Sequence, residues 1–472
     1  MSKIIKHNNK ESSPVNYVLE QPRNTTVYSD VDVLVVGGGP AGVAAAVAAA
    51  RAGAKTAIVE HHGFLGGMWT AGMVLTLAGF NSWLRPYDRC VKGIAEEWVT
   101  RAAGEDGALV NSGFVINSEP EVMKRVADEF IAEENIEFLF HTWGAAPIMD
   151  GNRVAGAFIE NVDGRRAIRA KVTIDCTGNG DIVERSGASW VKSDTLQPMT
   201  MSFRMGNAVL DESIPHDGAA VLPIGPEAGM LHNPILTDFS SVRRDVPVDV
   251  EHMRAARDKG DLPRYGGPWF GGLRKDTVWV NSTRVIGDAS DATQLSQAEV
   301  TGRQDSQAIA DYFKAHVPGM EDSWLMQTST QIGVRETRRL VGSYTLTGDD
   351  VRNGTRFEDS VAVGCWPIDV HPADRQVGTH AMYVPAPFDI PYGMLVPEAI
   401  DGLLAAGRCA SADREALGSV RVGATCAAMG QAAGVAAALS ARDNVEPRAV
   451  DIRQVQQTLT DQGALVFAKD VG

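Results

Sequence analysis

A chain of 472 residues exceeds what one hydrophobic core ordinarily supports, so two domains are expected; its 44% hydrophobic and 22% charged residues are those of an ordinary globular protein. With 44 Lys and Arg against 59 Asp and Glu, the formal charge of -15 repels phosphate backbones and anionic membranes, which excludes nucleic acid as a natural partner. Five scattered cysteines (Cys90, Cys176, Cys365, Cys409, Cys426) form no C-x-x-C pair, arguing against a disulfide framework, a structural zinc or an iron–sulfur cluster.

In chain order, residues 1–27 read as an N-terminal extension without the apolar core and small-residue cleavage site of a secretory signal. The Ala-rich stretches further on are broken by Arg51 and Gln431, so no membrane span and a cytoplasmic location are expected. "DVLVV" (32–36) suits a buried parallel strand, and "AGVAAAVAAARAGA" follows as a strong helix former ending at Gly53. Between them Gly37, Gly39 and Gly42 supply G-x-G-x-x-G. The first glycine allows a tight turn, the second lets the backbone approach a pyrophosphate, and the third lets the helix pack on the strand. Pro40 and Ala41 open that helix, whose N-terminal amides face the phosphates. A second strand, "KTAIVE", ends in Glu60, about 20 residues on, where an acid accepts from a ribose hydroxyl. This is dinucleotide geometry, and the fingerprint leaves NAD and FAD open.

Residues 119–135 carry a one-sided apolar stripe (Val122, Val126, Phe130, Ile131) and predict a helix. "IEFLFHT" (136–142), "RVAGAFIEN" and "RRAIRAKV" predict a small antiparallel layer. "KVTIDCTGNGDI" (171–182) is another apolar strand, running into a turn with Gly178 and Asp181. From about 200 to 395 the composition shifts to Pro, Gly and aromatics, with Tyr265, Trp269 and Phe270 as candidate ligand contacts and a helix over 298–319. Arg338 and Arg339 are expected in helix-surface ion pairs with Glu336 and the acids nearby, while Arg335 is a candidate for holding a carboxylate or a flavin phosphate. The stretch 371–397 carries His371, Arg375, His380 and Tyr392; for proton abstraction from an O–H or N–H, His380 is the first candidate base and His371 the second. Last comes "GLLAAGRCASADREALGSVRVGATCAAMGQAAGVAAAL" (402–439): a strand, a Gly407-Arg408 turn, a loop and an Ala-rich helix. No His-x-x-x-His or Cys/His cluster is present, and His61 and His62 are not expected to face one ion, so no metal is expected.

The segments "GFLGGMWTAGMV" (63–74), "PMTMSFRMG" (198–206), "IGVRETRRLVGSYTLTGDDV" (332–351), "DIPYGMLVP" (389–397) and "EALGSVRVGATCAAMGQAAG" (415–434) extend the pattern over nearly the whole chain. With them the sequence resembles the FAD-dependent oxidoreductases that have a glutathione-reductase-like flavin domain. More narrowly, it resembles a bacterial family that includes relatives of heterodisulfide reductase flavin subunits. The resemblance implies an α/β fold: a Rossmann-like FAD-binding domain over 28–200 and 396–445 with a small antiparallel β layer, a mixed α+β substrate or cap domain over 201–395, and a C-terminal segment over 446–472. It implies FAD as cofactor, with Gly37, Gly39 and Gly42 on the pyrophosphate and Glu60 on the adenosine ribose. Gly66, Gly67 and Met68 would pass near the flavin, Gly178 and Asp181 would return to the cofactor, and Gly407 and Arg408 would lie along the ribityl chain. The helix carrying Gly423 and Thr425 would aim its N-terminus at the flavin pyrimidine edge, aided by Arg421 unless that residue forms a surface salt bridge. Tyr392 matches a family position that orients substrate. His61 lies beside the cofactor path, leaving a covalent histidyl–flavin bond open.

The departures also carry information. The chain lacks the iron–sulfur cysteines of heterodisulfide reductases, shows Gly407-Arg408 where related aromatic hydroxylases have Gly-Asp, and has no second G-x-G-x-x-G for NAD(P)H. The expected activity is therefore a dehydrogenase or oxidase moving hydride from a small polar metabolite (an alcohol, amine or saturated carbon) to flavin N5. Dioxygen, a quinone or an electron-transfer protein would take the electrons on; oligomeric state is left open. The alternatives are a flavin monooxygenase or NAD(P)H-linked reductase, and an electron-transfer flavin subunit of a larger complex.

Overall fold

The computed structural model describes residues 18–84, 88–104, 108–110, 115–209, 246–272, 276–371 and 383–472. Its main sheet has seven strands. The order runs Glu137–Leu139, Thr56–Val59, Val27–Val36, Gly164–Asp175, Arg153–Asn161 and Trp143–Asp150, with Leu403–Ala405 also paired to Gly164–Asp175. Val33 to Val36 are buried, as an unbroken apolar run requires when both faces of a parallel sheet are covered. The Gly164–Asp175 strand joins two patterns. From Ala167 to Asp175 it runs parallel to Val27–Val36, its first half pairs antiparallel with Arg153–Asn161, and its end pairs parallel with Leu403–Ala405. The antiparallel layer is thus continuous with the nucleotide-binding sheet.

One strand differs from expectation. Glu137–Leu139, assigned from sequence to the antiparallel layer, is the parallel edge of the main sheet, with Ala57 opposite Glu137. The helix Pro120–Glu133 immediately before it closes the long crossover from Thr56–Val59, and a crossover of this kind brings the chain back parallel to the strand it pairs with.

The Pro40–Arg51 helix packs along the Gly423–Asp443 helix at backbone distance. A Cβ on Gly430 would lie 2.0 Å from the Ala41 carbonyl oxygen, and one on Gly434 2.2 Å from that of Ala45. The Gly423–Asp443 helix is, contrary to the sequence expectation, long and apolar enough to cross a membrane; 94% of its apolar window is buried inside the protein. A helix apolar all round is what a central core position demands.

A four-stranded antiparallel sheet stands apart, ordered Tyr265–Gly271, Thr277–Thr283, Phe203–Gly206 and Trp324–Thr328. The Ala292–His316 helix covers it, begun by Asp291, whose side chain accepts the Gln294 N–H. Phe203, Tyr265, Val280, Ile309 and Phe313 give this unit its own core. Residues beyond it behave otherwise: Leu346, Val361, Phe388 and Leu395 share the core of the two Ala-rich helices. Pro, Gly and aromatic content between 200 and 395 thus accompanies residues of two cores, that of the four-stranded unit and that of the Ala-rich helices.

Candidate functional site

One cavity of about 470 Å³ runs from Glu60, His61 and Trp143, past Gly37, Gly39, Pro40 and Ala41, to Gly407, Val422 and Gly423, and ends among Trp269, His371 and Arg421. The glycines at its centre differ in purpose. Gly37 has φ +101°, and a Cβ there would lie 2.5 Å from the Cys176 carbonyl oxygen; on Gly42 it would lie 1.8 Å from that of Gly37. These two weld strand, turn and helix together. Gly39 is different: its added Cβ would meet only the Gly67 Cα, at 3.9 Å, so it opens on the cavity at the N-terminus of the Pro40–Arg51 helix. Gly66 and Gly67, both at positive φ, dock a second turn against the first, the Gly66 N–H donating to the Gly38 carbonyl at 2.8 Å.

Glu60 is buried at the end of its strand. Its Oε2 accepts the Gly38 N–H at 2.6 Å, and its Oε1 meets the Nδ1 atoms of both His61 and His62 at 2.9 Å. Burial alone would raise the Glu60 pKa, but the hydrogen bonds from the histidines outweigh it and hold the carboxyl below its ordinary range. Burial likewise disfavours protonated His61, yet the Glu60 hydrogen bond and charge raise its pKa above 6.5. The two imidazoles were expected to diverge; instead they converge on one oxygen, bringing three potential ligand atoms within 4.8 Å. The carboxylate is already satisfied by a backbone N–H, which suits a hydrogen-bonding acid at a nucleoside end.

The far turn is shaped by Asp175, which sequence analysis passed over. It is fully buried; Oδ1 accepts the Thr177 N–H and O–H, and Oδ2 accepts the Ile182 and Val183 N–H groups. Gly178 follows at φ +73°, where a Cβ would lie 2.9 Å from Arg408 Nη2. Arg408 donates to Thr337 Oγ1 and Asn179 Oδ1, both at 2.8 Å, and burial lowers its pKa to about 10. Two helix N-termini, at Gly39 and Gly423, thus border one cavity that also holds a buried guanidinium bonded to neutral groups. That electrostatic pattern favours an anionic ligand.

The family model of FAD dependent oxidoreductases matches residues 32–459. The chain belongs to that family. FAD is its cofactor, and the residues fit it: the opening at Gly39 would accept a pyrophosphate, Glu60 would meet the adenosine end, and the N-terminus of the Gly423–Asp443 helix would face the remaining end. A 170-residue stretch is 32% identical to thiamine thiazole synthase of Methanosarcina mazei, covering 33% of this chain and 59% of that one. A 199-residue stretch is 27% identical to digeranylgeranylglycerophospholipid reductase 2 of Methanopyrus kandleri, covering 40% and 48%. The chain therefore spans less than two thirds of the length of these relatives. Among solved structures, a geranylgeranyl bacteriochlorophyll reductase-like protein of Thermoplasma acidophilum aligns over 92% of this chain and 83% of its own, with TM-score 0.46 and 14% identity.

Of the residues assigned to FAD from sequence, Gly37, Gly39, Pro40, Ala41, Glu60, His61, Gly67, Met68, Gly178, Asp181, Gly407, Arg408 and Gly423 line the cavity. Gly42 and Gly66 lie behind its wall as packing residues. Thr425 is also behind it, fully buried with its hydroxyl unpartnered, because the helix starts two residues earlier, at Gly423. Asp181 is held by Arg338 at 2.5 Å.

Beyond Gly423 the wall becomes aromatic and charged. Arg421 donates through Nη2 to the Asp369 carbonyl at 2.9 Å and carboxylate at 3.1 Å, so it is neither a surface salt bridge nor exposed. His371 Nε2 lies 3.3 Å from the same carboxylate, with Trp269 edge-on at 6.2 Å. Burial, opposed by Asp369 and reinforced by Arg335 and Arg284, takes the His371 pKa well below 6.5. Trp269 and Phe270 line the cavity, whereas Tyr265 belongs to the core of the four-stranded unit.

Tyr392 does not line the cavity; it is buried in the main core and donates its O–H to the Pro447 carbonyl at 2.8 Å. Arg339 and Glu336 do pair, at 2.8 Å, but both are buried rather than on the surface, because Ser193 and the Ala412 carbonyl enclose them. His380 and Arg375 lie outside the described residues.

Proposed function

We propose that this FAD-dependent oxidoreductase is a dehydrogenase or oxidase acting on a C–H bond of a small polar metabolite at the aromatic end of the cavity. When bound, FAD supplies the acceptor for a hydride. The observation that carries the reading is the Asp369–His371 pair, a buried imidazole oriented by a carboxylate at the end of the cofactor cavity. A neutral imidazole with a depressed pKa is ready to take a proton from an O–H or N–H, and Asp369 steadies the charge that results. Trp269, Trp279 and Phe270 keep bulk water from that proton path.

The same reading leaves reoxidation to dioxygen, a quinone or an electron-transfer protein, and retains the narrower kinship with heterodisulfide reductase flavin subunits on the strength of the quoted segments. A cytoplasmic setting accords with five free, buried cysteines. The test is anaerobic mixing of the oxidised holoenzyme with a panel of alcohols, amines and saturated acids, followed at the flavin absorbance bands. Bleaching by one of these classes supports the reading; bleaching by NAD(P)H alone transfers the protein to the reductases and monooxygenases.

A further inference from the structure

We propose that the substrate carries a carboxylate, held on the Nε and Nη2 edge of Arg335 with Arg421 beside it. The inference rests on the oxidation site proposed above and names its substrate class. Three guanidiniums, of Arg284, Arg335 and Arg421, gather around the single carboxylate of Asp369. Thr200 Oγ1 accepts from Arg284 Nη1 at 3.0 Å and from Arg335 Nη1 at 2.6 Å, so two cations share one hydroxyl. The remaining partner of Arg335 is the Pro198 carbonyl at 2.7 Å. Those of Arg284 are Asn281 Oδ1 and the carbonyls of Ser282 and Thr283, with the Trp269 ring 4.9 Å below its guanidinium. Among the described residues neither Arg284 nor Arg335 is ion-paired, whereas Arg421 pairs with Asp369. Two of the three positive charges thus have no ion-pair partner among the described residues in a low-dielectric setting, which an anionic ligand corrects. The depressed pKa of Arg335, from burial first and then from Arg284 and Arg421, is the same strain seen from another side.

The placement of the donors selects the anion. Arg335 lines the cavity and uses only Nη1 on described protein groups, leaving Nε and Nη2, the edge that pairs two-pronged with a carboxylate. A phosphate, with three oxygens to satisfy, needs more donors than this edge offers. Arg284 stands behind Thr200 and contributes field rather than contact. Asn117 also lines the cavity, buried with both side-chain polar atoms unpartnered, and is available to the uncharged part of the same molecule.

The holoenzyme is titrated with malonate and acetate, with malonamide as the neutral control and inorganic phosphate as a third arm, following the oxidised flavin spectrum. The carboxylates should perturb it saturably and malonamide should not. Arg335→Gln should raise the malonate Kd at least about 30-fold, with FAD content at the wild-type value. Arg335→Lys should restore only part of the affinity, since it keeps the charge and loses the paired edge. The proposal is overturned by a response to phosphate alone, by a malonate Kd unmoved in Arg335→Gln, or by loss of FAD from that variant, which would assign the arginine to the cofactor's phosphates. Normal malonate binding in an enzyme that no metabolite reduces would instead sink the dehydrogenase reading and leave the carboxylate site standing.

Discussion

Replacing Gly39 by alanine separates cofactor binding from folding. The backbone there has φ -71°, which alanine adopts freely, and the new methyl meets nothing nearer than the Gly67 Cα at 3.9 Å. The cofactor-free protein should therefore lose only the difference between Gly and Ala at a helix N-cap, about 0.5–1 kcal/mol, or about 1–2 °C in Tm for a chain of this size. The methyl projects where a pyrophosphate has to reach the backbone. Loss of even one amide bond to a charged oxygen, at about 1.5–3 kcal/mol, weakens FAD binding about 10- to 100-fold. Gly42→Ala provides the contrast, since its methyl would lie 1.8 Å from the Gly37 carbonyl oxygen and force the helix off the strand by roughly 1.5 Å. Flavin-fluorescence titration of deflavinated protein gives Kd, and thermal melting of the same samples gives Tm. Gly39→Ala should lose affinity and keep its melt; Gly42→Ala should lose both. Wild-type FAD affinity in Gly39→Ala, or a melt as low as that of Gly42→Ala, would refute the division of labour among the glycines.

Three other outcomes follow from the site's electrostatics. With the His371 pKa well below 6.5, stopped-flow flavin reduction by substrate should be flat from pH 6 to 8, and His371→Gln should slow it by about 10²–10⁴-fold at every pH in that range; a limb near pH 7 that the variant abolishes would contradict this. In cofactor-free protein, the lowered Glu60 pKa contributes stability above its unfolded value near 4.5 that is lost on acidification through the folded value. The raised His61 pKa contributes stability that is complete below 6.5 and lost as pH rises through its folded value. The stability difference between wild type and Glu60→Gln, read from denaturant midpoints, should accordingly shrink from pH 6.5 upward, while His371, with its lowered pKa, contributes the same rise to both. All five cysteines are buried and burial pushes the Cys426 thiol up to about 12, so mass spectrometry should find no iodoacetamide adduct on native protein at pH 8 and five after denaturation.

What could be read from the sequence was whatever is decided locally. Gly37, Gly39 and Gly42 sit between a strand and a helix only a few residues away, so their spacing carries their geometry, and Glu60 follows from the register of the next strand. The Gly407-Arg408 turn and the helix after it were legible for the same reason. Charges were not, because a side chain's partner is a matter of tertiary distance. Arg339 and Glu336 looked like a surface pair until packing enclosed them, and Arg421 finds Asp369 from 52 positions away. The Arg284–Thr200–Arg335 cluster joins three separated segments, and no spacing announces it. Tyr392 shows the reverse error: its motif neighbours suggested substrate contact, while an O–H directed at the Pro447 carbonyl fixes it as a core residue.

The most direct measurement is an experimental structure of the FAD-loaded protein. The account predicts a single flavin lying along the cavity, its diphosphate against the backbone at Gly39 and Ala41 and its ring system between Gly423 and the Arg335, His371 and Arg421 wall. A ring system at the Trp143 end, or a diphosphate away from the Gly39 opening, would contradict it.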